Sequence, residues 1–212
     1  MKWFLRAPHW KIFLIQLSPA LIAPFIIFLF FLFSDFNQPE PADFSILILI
    51  PLLIIGMIAF QLSYYWSIGN KLQPLLPEGV PMNPKYFNLA LAVPLAGVVI
   101  IMMAVAVTIL TADENFMEPE PFFGLSFVFI IFYMLFALLA MLSGFYQIYF
   151  LAKLVKTLEL QREVRFEEYL LECVLFWFYI VGIWFIQPKL NAFIEQMENP
   201  PAGPPLTMKS GN

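Results

Sequence analysis

The chain has 212 residues, 61% of them hydrophobic and 12% charged, with a formal net charge of −4 and a mean hydropathy of +0.82. A water-soluble domain is closer to half apolar and a quarter charged; a soluble core is therefore excluded, and the surplus of Phe, Leu and Ile has to face lipid. A single cysteine, Cys173, excludes an intrachain disulfide, and a single histidine, His9, leaves no Cys/His metal framework.

A spanning helix needs about 20 mainly apolar residues. The first run, 12–33, follows a basic head of Lys2, Arg6 and Lys11. It ends without a small-residue cleavage site, so a retained transmembrane helix is expected, not a cleaved signal. Further runs cover 45–69, 88–111 and 122–152, and a shorter fifth, 169–187, carries Glu172 near its start. Helix is the economical reading, because backbone groups in hydrocarbon must pair within the segment and no run alternates in polarity like a barrel strand. Pro74, Pro77, Pro81 and Pro84 make 70–87 an irregular loop. The mixed segment 153–168 is expected to prolong the fourth helix and then lie along the membrane interface. One polytopic domain, 1–190, and a flexible Pro-rich tail, 191–212, complete the reading.

Basic residues orient the chain. They occupy the N-terminus, the 70–87 loop (Lys71, Lys85) and the segment after the fourth run (Lys153, Lys156, Arg162, Arg165). The two intervening turns contain none. Those turns, DFNQPEPADF at 35–44 and DENFMEPEPF at 113–122, match without a gap at Asp35/Asp113, Asn37/Asn115, Glu40/Glu118, Pro41/Pro119 and Phe44/Phe122. Aligning Lys71-Leu72 on Lys153-Leu154 then places Tyr64 on Tyr146. The expected architecture is an all-α membrane protein of five transmembrane helices: two parallel-repeated hairpins, 12–69 and 88–152, and a fifth segment, 169–187, that crosses fully or re-enters. The acidic turns face outward, the N-terminus is cytoplasmic, and a full fifth crossing carries the C-terminus outside.

The spans hold no Asp, Lys, Arg or His, and no G-x-x-x-x-G-K-[ST] loop is present. Intramembrane hydrolysis and nucleotide chemistry lack their residues, so no enzyme and no cofactor is expected. The candidate polar cavity or coupling residues are Gln61, Tyr64, Tyr146, Gln147 and Glu172. Intramembrane polar groups either bond between helices or line a path. Glu172 is either an interfacial carboxylate within reach of Arg165 or a coupling site. Pro19, Pro24, Pro51 and Pro94 each free a carbonyl inside a helix. Ala90, Gly97 and Ala104 on the third helix, and Ala140 and Gly144 on the fourth, invite close backbone approach. Phe127, Phe129, Phe132 and Phe136 are expected to meet lipid or a partner.

Toward the C-terminus, Lys153, Glu159, Leu160, Trp177, Phe178, Gly182, Ile183, Trp184, Gln187 and Pro188 carry a resemblance to uncharacterised small multi-helix inner-membrane proteins of Bacteroidota. Ile180 stands where that group tends to have proline. The resemblance implies a bacterial inner-membrane location and no activity. The function expected is a non-catalytic accessory or scaffold subunit; the alternative is a small transporter or channel with a polar cavity between the hairpins. The expected partners are the bilayer and a protein partner or second copy within it, and not nucleic acid.

Overall fold

The computed structural model describes residues 2–33, 49–111 and 122–198. Among them all regular secondary structure is helical, with no strand. Helix α1 (Lys2–Arg6) is followed by α2 (His9–Phe33), α3 (Leu49–Lys71), a 3-10 turn (Gln73–Leu75), α4 (Pro84–Thr111), α5 (Phe122–Leu160), α6 (Phe166–Trp177) and α7 (Tyr179–Glu198). His9–Leu32, Leu52–Leu75 and Ile131–Leu160 are long and apolar enough to cross a membrane, and Pro84–Ile100 is a shorter apolar helix. The repeated acidic turns lie outside the described residues, Phe122 excepted.

Burial is concentrated at one end of the long helices. Ile12 and Gln16 of α2, Tyr64, Tyr65, Ser67 and Ile68 of α3, Phe87 and Leu91 of α4, and Phe150, Leu151, Leu154, Val155 and Leu158 of α5 form its centre. Phe87 stacks on Phe150 with centroids 4.4 Å apart. A Cβ on Gly69 would lie 2.2 Å from the Phe87 ring, so the close seat of α4 on α3 requires glycine there. Asn70 and Asn88 exchange side-chain hydrogen bonds at 2.9 and 3.1 Å across the same junction. Toward the other end, Leu21, Phe25, Phe28 and Leu32 of α2, and Phe132 to Leu135 of α5, are exposed.

Residues 153–160 prolong the fourth helix, as expected: they continue α5, and Leu154, Val155, Thr157 and Leu158 are buried core. At about 1.5 Å per residue a helix of 39 residues outreaches the roughly 30 Å hydrocarbon layer, so its last turns become a post for other helices. It stops at Gln161, which has φ +51 and donates its side-chain N–H to Leu158 O at 2.8 Å.

Two other expectations are corrected. Segment 169–187 is not one crossing helix. Helix α6 ends at Trp177, Phe178 turns the chain with φ −86 and ψ 56, close to an inverse γ-turn, and α7 starts at Tyr179. The two helices fold back as a hairpin. Lys189 Nζ comes within 3.2 Å of Glu172 Oε1, whereas a straight helix would separate those residues by about 25 Å. Gly182 permits the turn: a Cβ there would stand 1.8 Å from Leu175 O. The bend therefore forms with Ile180 in place of proline.

The second correction concerns the tail. Asn191–Glu198 is the end of α7 and carries the buried residues Phe193 and Ile194. Arg6 forms a salt bridge with Glu198, so the end of α7 lies beside α1. The rest of the tail, 199–212, lies outside the described residues.

Candidate functional site

Most of the buried polar side chains fall into three clusters; two serve backbone carbonyls and the third is a set of ion pairs. The first centres on Gln187, which is fully buried. Its Oε1 accepts the Tyr64 hydroxyl hydrogen at 2.9 Å. Its Nε2 donates to Phe4 O at 2.8 Å, Ala7 O at 3.1 Å and Asn191 Oδ1 at 3.1 Å. A short helix leaves its terminal carbonyls unpaired; one side chain of α7 thus satisfies the end of α1 and anchors it to α3. Beside it, Gln61 Nε2 donates to the Tyr65 hydroxyl at 3.2 Å, and that hydroxyl donates to Phe176 O at 3.4 Å. The Tyr179 ring meets Tyr64 and Tyr65 edge-on at 5.7 and 5.8 Å. The gap bounded by Tyr64, Phe176, Tyr179, Gly182 and Ile186 has no room for a water molecule.

The second cluster repairs proline damage. Pro94 has no N–H to offer Ala90 O, four residues before it. Ser143 Oγ and Gln147 Nε2, both buried on α5, donate to that carbonyl at 2.5 and 2.9 Å. Ser143 Oγ also accepts from Gln147 Nε2 at 3.1 Å. Pro19 is treated in the same way: Ser18 Oγ donates to Ile15 O at 3.0 Å. Neighbouring side chains are the usual remedy for a freed carbonyl in a membrane helix. Ala90 is small enough to let α5 approach. Gly97, one heptad on, serves the same purpose, since a Cβ there would stand 2.3 Å from the Phe136 ring. Phe136 therefore packs its half-buried ring against α4, while Phe132 is exposed. Gly144 faces open space, so the Ala140/Gly144 step is not a close contact among the described residues.

The third cluster holds Glu172, which is 1% exposed. Its Oε1 lies 3.4 Å from Lys156 Nζ and 3.2 Å from Lys189 Nζ. Both ammonium groups also pair with Glu159 Oε2, at 3.2 and 2.8 Å. Two carboxylates and two ammoniums thus close a neutral ring that ties α5, α6 and α7 together. A buried carboxylate needs such pairing, because desolvation of an isolated charge is prohibitive. The expected partner, Arg165, has a different job: its backbone N–H donates to Glu168 Oε2 at 2.8 Å at the start of α6. Arg162 supplies the charge opposite Glu168. That guanidinium first, and the Arg165 N–H second, hold the Glu168 carboxyl below its ordinary range.

The five candidate residues are thus not gathered around one path. Gln61 and Tyr64 face the α6–α7 hairpin, Gln147 bonds to α4, and Glu172 belongs to the ring at the base of the hairpin. Tyr146 is half-buried, with its ring 6.1 Å from Tyr149. No protein-family model, curated protein or solved structure matches the chain. Among the described residues, no group of three or more His, Cys, Asp or Glu side chains is placed to hold a metal ion. Sequence reasoning left Gln187, Tyr179, Lys156 and Lys189 out of the site. The available signal was a glutamine inside an apolar run, directly before Pro188.

Proposed function

We propose that the chain is a non-catalytic polytopic protein of a bacterial inner membrane, an accessory or scaffold subunit packed beside a partner chain or a second copy of itself. The carrying observation is the uneven coverage of its long helices. Buried polar side chains bond between helices and to backbone carbonyls at one end, while the apolar faces of α2 and α5 are left broadly uncovered toward the other. Buried polar clusters of this kind rigidify a body, and exposed aromatic and aliphatic faces are what a membrane subunit offers to lipid and neighbours.

In this reading α2, α3, α4 and α5 cross the bilayer as two repeated hairpins, with the basic end cytoplasmic. The α6–α7 hairpin dips in from that side and returns. Twelve residues of α6 reach about 18 Å, roughly one leaflet and a little more. The tip exposes Trp177, Phe178 and Val181, while the base holds Glu172, Lys189 and the Arg162–Glu168 pair. The tail after Glu198 then stays on the cytoplasmic side, contrary to the full crossing expected from length alone.

Native mass spectrometry of protein purified in mild detergent tests the subunit reading. A second chain or second copy at fixed stoichiometry supports it. A monomer at every detergent dilution that moves a solute in vesicles overturns it in favour of the transporter reading.

A further inference from the structure

A groove of about 380 Å³ runs between α3 and α4, on the outer face of the bundle. Ala59, Ser63 and Trp66 form its α3 wall, and Asn88, Ala92 and Leu95 its α4 wall. The spacing is four then three on both helices, so each wall is a single helical face. The groove exists because alanine and serine stand where larger side chains would close the gap. From Ala59 to Trp66 it extends about 10 Å along the helices, a large part of one leaflet's hydrocarbon depth.

The two ends differ. At the deep end Ala59 and Leu95 are apolar. At the other, the indole of Trp66 and the amide of Asn88 provide polar atoms. One turn further, on the stripe of Asn88, Ala92 and Leu95, stands Lys85. Lys85 is exposed and has no ion pair among the described residues; the same is true of Lys71, at the end of α3. Lys153, Lys156, Arg162 and Lys189 differ in this respect, since all have carboxylate partners, although Arg165 has no ion pair among the described residues. The connection from 72 to 83 offers one acid, Glu78, against these two cations. An apolar trough with an indole at its mouth and an uncompensated ammonium one turn above matches a lipid, acyl chain below and headgroup above. Lysine stems reach readily from an apolar wall to the headgroup level.

We propose that this groove is a specific site for an anionic phospholipid, with one acyl chain between Ala59 and Ala92 and the headgroup phosphate at Lys85. The proposal rests on the membrane reading above and adds a defined lipid to it. Charge sets the preference: the excess of ammonium groups at the mouth favours a headgroup with net negative charge over a zwitterionic one. The trough alone would take either kind of chain.

The test uses the full-length protein in mild detergent, with phosphatidylglycerol and phosphatidylcholine added in equal amounts and retained lipid read by native mass spectrometry. The expected wild-type result is one retained phosphatidylglycerol, favoured several-fold. Lys85→Ala should remove the preference while leaving the protein folded, because the side chain is exposed. Ala92→Phe should fill the trough and lower retention of both lipids. Lys11→Ala, on another helix, should change nothing. Equal retention of the two lipids by wild type, or a preference that survives both Lys85→Ala and Ala92→Phe, overturns the site. Failure of the membrane reading is scored separately, as release of the protein from membranes by alkaline carbonate.

Discussion

Tyr64 and Gln187 meet at 2.9 Å across 123 residues of chain, hydroxyl to amide oxygen, and both side chains are buried. Tyr64→Phe keeps the ring contacts and strands the Gln187 oxygen. A buried acceptor left unpaired costs about 1–3 kcal/mol. Unfolding in mixed micelles with increasing dodecyl sulfate should show that loss. Gln187→Leu should cost more, because it also strands the carbonyls of Phe4 and Ala7. A Tyr64→Phe protein as stable as wild type would show that the bond contributes nothing.

The link between Gln147 and Pro94 can be measured as a coupling. In the wild type Gln147→Leu removes one of two donors to the carbonyl that Pro94 leaves free, with an expected cost of about 1–3 kcal/mol. In a Pro94→Ala background the helix supplies its own N–H to that carbonyl. The same Gln147→Leu change should then cost clearly less, with an interaction energy of about 0.5–3 kcal/mol in the double-mutant cycle. Additive effects would mean that the glutamine serves some other need.

Two glycines should respond oppositely to one methyl group. Gly182→Ala forces Cβ against Leu175 O and should open or strain the α6–α7 turn, at about 1–3 kcal/mol or more. Gly144→Ala meets open space inside a helix and should stabilise by about 0.5–1 kcal/mol. Thermal stability of the two single variants decides it. Equal effects would contradict the hairpin geometry.

Acid should weaken the start of α6 through Glu168. Its carboxyl pKa is lower in the folded state than in the unfolded chain. The stabilisation is therefore complete above the ordinary carboxylate range and is lost as pH falls through the lowered folded value. The stability gap between wild type and Glu168→Gln should be constant from about pH 6 to 8 and should close toward pH 3. The group is exposed, so the gap should also shrink in high salt. A gap that widens in acid would reverse the assignment.

Accessibility of the tail tests the hairpin as membrane topology. With a cysteine at Ser210 in a Cys173→Ser background, an impermeant maleimide should fail to label intact spheroplasts and should label after permeabilisation. Labelling of intact spheroplasts would restore a full fifth crossing.

The long helices were readable because apolar length and the need for internal backbone pairing leave few alternatives. The α6–α7 break was not, and the reason is local. Nineteen residues from Tyr169 to Gln187 are almost enough to cross, and the turn carries no proline. What decides it is Gly182 lying on Leu175 O, a contact that exists only after folding. The partners of Glu172 were hidden in the same way. Arg165 is nearer in sequence, but the hairpin delivers Lys189 and the post of α5 delivers Lys156. Gln147 stood out as polar in an apolar run, which flags a need without naming it. Pro94 on the preceding helix, four residues after Ala90, was the missing half of the explanation.

The join between α1 and α7 also sets an order of events. The amide that caps the Phe4 carbonyl belongs to Gln187, synthesised 183 residues later. At about 5–20 residues per second, α1 waits roughly 10–40 s for that partner. The crossing helices can insert in the meantime. Closure of the basic end cannot precede synthesis of α7, so a chain interrupted before Tyr179 should reach the membrane with α1 undocked and Tyr64 without its acceptor.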